Sequence, residues 1–118
     1  MAIPTGGGSE VLKRADARAV SNSEIKIIDG ANANYIYTVL NVLFCNPAAN
    51  DELISMYIYP SANSGNKTEL LSTANLTANG TFIWNEKIVL TGTDELLVIT
   101  ASAADVDVTA TYILQDWT

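Results

Sequence analysis

The chain has no histidine, a single cysteine, and only six cationic side chains in 118 residues. Each shortage closes off a class of chemistry. Without histidine there is no Ser-His-Asp or Cys-His arrangement, and the commonest general base and metal ligand is missing. Cys45 alone forms no intrachain disulfide. It lies within "VLNVLFCNP" and reads as a small buried hydrophobe. No glycine-rich phosphate loop is present: "TGGGSE" lacks the Lys-Ser/Thr ending, and no strand precedes it. No run approaches the ~20 apolar residues of a membrane span, and no apolar secretion segment follows the start. The expectation is a non-enzyme with no cofactor, no metal and no membrane partner.

Acids outnumber cations thirteen to six, for a net charge of -7. A body of that sign repels phosphate backbones, which argues against a nucleic-acid partner. Asp105 and Asp107 share a strand face, as calcium ligands would. Two carboxylates are too few for a site, and we read them as solvated. Four of the six cations, Lys13, Arg14, Arg18 and Lys26, fall in the first 26 residues.

What is present is strand pattern. Hydrophobic residues make up 48% of the chain, enough for one core in a domain of this size. "YIYTVLNVLFC" (35–45) is β-branched and aromatic, and too apolar on both faces to sit on a surface. In "ELISMYIYP", Ile54, Met56 and Ile58 take one face, and Leu53, Ser55, Tyr57 and Tyr59 the other. "TFIWNEKIVL" follows Asn79-Gly80, a dipeptide suited to a tight turn. It reads as one strand with Phe82, Trp84, Ile88 and Leu90 on a face and Glu86 as the exception. "VDVTATYIL" alternates most cleanly, with Val106, Val108, Ala110, Tyr112 and Leu114 inward. No segment holds a helical period. The expected fold is all-β: a single antiparallel sandwich of seven or eight strands. A jelly-roll type is favoured over an immunoglobulin-like one, though periodicity does not separate them.

The start is different. Three glycines precede the apolar pair Val11 and Leu12 and the cations Lys13 and Arg14. Residues 1–23 are expected to form a flexible arm ahead of a sandwich over 24–118. Val11, Leu12, Lys13 and Arg14 would then lie on a neighbouring subunit. The competing reading makes residues 9–14 the first strand of their own sandwich. Tyr57, Tyr59 and Trp117 are candidate surface aromatics for a partner, or else plugs of the core or its ends.

Several segments carry a resemblance. "PTGGGSEVLKR", "YIYTVLNVLFCN", "TFIWNEKIVLTGTDELLVITAS" and the closing "VDVTATYILQDWT" resemble small virion proteins of tailed bacteriophages. The resemblance spans Pro4 to Thr118 and implies a virion structural protein, assembled in the host cytoplasm. It implies a capsid decoration, or cement, protein first, forming a symmetric oligomer, a trimer before a dimer. Its partners would be copies of itself and the major capsid protein or other virion proteins. A tail, fibre or adaptor component is the alternative. A carbohydrate-binding sandwich, stacking sugars on Trp84, Trp117, Tyr57 or Tyr59, is a third.

Overall fold

A computed structural model describes residues 8–30, 32–60, 66–102 and 105–116. Nine strands follow in order: β1 (Ser9–Val20), β2 (Ile25–Asp29), β3 (Tyr35–Cys45), β4 (Glu52–Tyr59), β5 (Thr68–Leu76), β6 (Thr81–Trp84), β7 (Ile88–Thr91), β8 (Glu95–Thr100) and β9 (Val106–Asp116). They make two antiparallel sheets. The larger runs β1-β9-β3-β6, with β7 also on β3; the smaller runs β2-β8-β4-β5.

The pairing is nested. β1 pairs β9, β2 pairs β8, β3 pairs β6 and β7, and β4 pairs β5. That is one long antiparallel ribbon doubled back at the β4–β5 connection. The ribbon is then rolled, so that β9 lies against β3 and β8 against β4. This rolled ribbon is the jelly roll, with its two four-position sheets. Immunoglobulin-like topology, in which β1 and β2 would share a sheet, is excluded.

The inward residues fill the space between the sheets. Val39, Val42, Phe44, Ile54, Met56, Leu90, Leu96, Val98, Val106, Val108 and Ala110 are essentially inaccessible. Full burial of a side chain such as Phe44 or Met56 contributes about 1.5–3 kcal/mol. Phe82 and Trp84 pack against this core from β6, with Phe82 edge-on to Phe44 at 6.1 Å between centroids.

Three expectations are corrected. First, Ser9–Val20 is a strand, in register with β9 from Ser9↔Asp116 to Ala17↔Val108. The expected arm over 1–23 therefore does not hold for these residues, and β1 raises the strand number. Second, the 81–90 run is two strands, parted at Asn85–Lys87. Glu86 broke the alternation because it sits in that gap, exposed. Third, Cys45 is exposed. Phe44 takes the inward position at the end of β3, so Cys45 faces out beside Asp107.

One buried polar residue ties the loops together. Asn46 has no accessible surface. Its Nδ2 donates to the carbonyl oxygens of Asn50 (2.8 Å), Thr77 (3.3 Å) and Leu76 (3.4 Å). Its Oδ1 accepts from the Ala48 amide at 3.1 Å. The turn it clasps holds Asn79 at a φ of 57°, a value asparagine tolerates.

Two substitutions test this architecture. Val108→Asp places an unpaired charge in the core and is expected to cost about 3–5 kcal/mol in chemical denaturation. An unchanged midpoint would show that β9 faces the other way. Asn46→Ala strips buried carbonyls of their donor and is expected to cost about 1–3 kcal/mol on the same assay.

Candidate interaction surface

Strands β1, β9 and β3 have 12, 11 and 11 residues. The facing strands have 5 to 9. The larger sheet therefore outruns the smaller, and its outer face lies bare. The register sets the rows of that face. Leu12 pairs Ile113, Ile113 pairs Thr38, and Thr38 pairs Val89. A second row runs Asp16, Thr109, Leu43 and Ile83.

Four of the six large hydrophobics exposed among the described residues lie on this face: Leu12 (68%), Val89 (57%), Ile83 (55%) and Leu43 (37%). Thr, Asn and Gln fill much of the remainder. Glu10, Arg14 and Asp16 are confined to the β1 edge, and Asp107 to one end of β9. Away from that edge and that end the face is an apolar and Thr-rich field on a chain of net charge -7. The expectation that β3 is covered on both faces is corrected here: among the described residues no other strand packs on its outer face, where Leu43 is exposed.

The four residues assigned to the arm do not form one patch. Leu12 and Arg14 point to the outer face. Val11 and Lys13 share the opposite face with Ala15 and Ala17, near the end where the larger sheet runs on. Val11 is 46% exposed, and both cations are exposed. Arg14 Nε meets Asp16 Oδ1 at 3.2 Å, a solvated pair of small energetic weight. Lys26 is engaged by its own sheet, with Nζ 2.8 Å from Glu95 and 3.9 Å from Asp29, and these carboxylates raise its pKa.

The candidate aromatics divide. Tyr57 is not a surface residue: it is 2% exposed. It lies on the outer side of the smaller sheet, beside Leu97. Lys67 Nζ sits 4.3 Å over its ring, and Tyr59 packs edge-on at 6.0 Å. A long lysine stem and a neighbouring ring thus cover a position that alternation assigns to solvent. Tyr59 is half-buried. Trp117 lies outside the described residues. Trp84 is half-buried and turned to the core, with Nε1 buried. The ring of Tyr57 is covered by Lys67, and Trp84 packs against the core.

Asp105 and Asp107 are both exposed, and among the described residues no three acidic or cysteine side chains converge as a metal site would require.

No protein-family model matches the chain, and no curated protein sequence does. Solved structures do match. A chain of the Bacillus endospore appendages, a family of disulfide-linked pili, superposes with a TM-score of 0.56 at 12% identity, over 100% of this chain and 97% of that one. A chain from the acid-stable capsid of Helicobacter pylori bacteriophage KHP30 gives 0.53 at 12% identity, over 98% and 92%. A chain of infectious bursal disease virus, Gx strain, gives 0.54 at 13% identity, over 98% of this chain but 32% of that one. The present chain thus spans about a third of that longer viral chain. At these identities the likeness shows the fold.

Tyr57 generates a prediction. Burial first, and the Glu24 and Glu69 carboxylates with it, raise its pKa above the ordinary 10.0. Its hydroxyl completes no hydrogen bond of ordinary geometry. Folding thus favours the neutral phenol. That contribution is whole below pH 10 and is lost as pH climbs toward the higher folded-state value. Tyr57→Phe is expected to be neutral or stabilising at pH 7, since it removes an unpartnered hydroxyl. It should also flatten the decline in stability between about pH 10 and 11.5, read by denaturant titration at each pH.

Proposed function

We propose that this chain is a structural protein of a virus particle, and in finer terms a capsid decoration protein of a bacteriophage. The observation that carries the reading is the outer face of the β1-β9-β3-β6/β7 sheet, whose charges stand at the β1 edge and one end of β9 and whose middle is apolar and Thr-rich. The fold likeness to chains of two virus particles supports it. The mechanism is burial. Many copies laid on a shell each cover apolar surface at about 25 cal/mol per Å². Whatever binds only the assembled shell stabilises it by mass action. Copies of the chain and the shell protein are the partners.

A fibre or tail component is the second reading. The full-length likeness to a pilus chain favours it. A single cysteine links at most two copies, so a fibre of this chain would not be held by disulfides along its length. The two readings part on copy number. Decoration requires a count comparable with the shell protein, and a tail part far fewer, as densitometry of purified particles would show.

Ile83→Asp with Val89→Asp tests the face itself. Both side chains are exposed, so melting should stay within a few degrees of the parent. Attachment to particles lacking this protein should fall about tenfold or more, because an unpaired carboxylate must be desolvated at the contact. Undiminished attachment would remove this face from the mechanism.

A further inference from the structure

We propose that two copies of this chain pair antiparallel along the free edge of β1, about a two-fold axis at Leu12. This joins their larger sheets into one. The pair replaces the trimer expected from sequence, and it goes beyond the particle reading because it concerns the chain in solution.

β1 is the edge of its sheet and pairs only with β9. A free strand edge is a template for another strand. Over residues 9–14 every side chain is exposed, so nothing among the described elements shields that stretch of edge. The register between Ser9 and Ala17 is unbroken; a bulge follows, between Ala17 and Val20. A bulge bends an edge away from pairing. The regular stretch is therefore the part that can accept a partner.

Symmetry and charge select the register. A two-fold axis normal to the sheet places one residue opposite its own copy. Centred on Lys13 or Arg14, it opposes like cations. Centred on Val11, it sets Leu12 against Glu10. Centred on Ala15, it too opposes opposite charges, Arg14 to Asp16, but it sets Leu12 against Arg18 and runs into the bulge after Ala17. Centred on Leu12, it sets Leu12 against Leu12 and Glu10 against Arg14, twice over. Directly opposed antiparallel residues share a face, so both charge pairs flank the leucines on the outer face. Among the described residues each group now has a solvated contact within its own chain: Arg14 with Asp16, and Glu10 Oε1 accepting from Gln115 Nε2 at 3.2 Å. The two Glu10–Arg14 pairs thus set opposite charges across the seam, although each chain carries a charge of -7.

The test is sedimentation equilibrium of the full chain, with two sets of variants. The parent should show a concentration-dependent dimer. Glu10→Arg alone and Arg14→Glu alone should each raise its dissociation constant about tenfold or more, and the two together should restore it. For cross-linking, Cys45→Ser removes the exposed native thiol. On that background Leu12→Cys should oxidise to a covalent dimer, since opposed Cα atoms stand roughly 4.5–5.5 Å apart. Ala15→Cys should not. A parent that stays monomeric, a double reversal that fails to restore pairing, or cross-linking at Ala15 in place of Leu12 overturns the proposal. Any of these leaves the particle reading standing, whereas an intact dimer that does not attach to particles sinks only that reading.

Discussion

The pairing of β3 with β9 is the contact on which the rest of this structure depends. It joins residues 35–45 to 107–116, the centre of the chain to its end, and it closes the rolled ribbon. Without it β1 has no route to the sheet, because β1 reaches β3 only through β9. The same ladder lines up the inward residues, setting Phe44 beside Val108 and Val42 beside Ala110. Burial of those pairs and closure of the roll are thus one event. Contacts so distant in sequence are costly in chain entropy until they form together, which is why a core this continuous accompanies them.

Where the sequence misled, the cause is a shift of phase. On β3 the inward positions are odd through Val39 and even from Val42, because the register slips between Val39 and Asn41. A strict alternation laid over 35–45 therefore finds apolar residues on both faces and concludes that both are covered. The same slip lies between Lys26 and Ile28, where Ile27 and Ile28 are both buried. β9 has no such shift, and its facing was legible residue by residue. The turn at Asn79-Gly80 and the all-β class were legible too, since they rest on local chemistry. The nested pairing was not, because periodicity records which face a residue takes and not which strand lies beside it. Tyr57 shows a further limit of alternation: its cover comes from Lys67, in a neighbouring segment.

The first strand was misread for a reason that bears on the candidate surface. β1 carries Lys13, Arg14 and Arg18 and buries only Ala17 and Val20 deeply among its described side chains. A strand with so little apolar pattern resembles a leader. It is held by the backbone ladder to β9, and its outer half buries no side chain in return. Such an edge is costly to leave bare, and Lys and Arg along it are the usual guard against indiscriminate pairing. Here the guard is mixed in sign, with Glu10 and Asp16 interleaved. A uniform row of cations would repel every copy of itself, whereas an alternating row repels most registers and favours those that bring opposite signs together.

On the proposed reading, the acidic body and the apolar middle of the face divide the work of association between them. Charges elsewhere on the surface keep copies apart by long-range repulsion, which acts over about 8 Å at physiological salt. The bare sheet face lies outside that guard, so contact there meets little opposition and gains from burial. Leu12 belongs to both features: among the described residues it is the most exposed of the large hydrophobics at 68%, and it sits where the edge meets the face. In the proposed edge pair, covering Leu12 would carry the apolar rows of one copy into those of the next, and the two faces would form one field twice as wide.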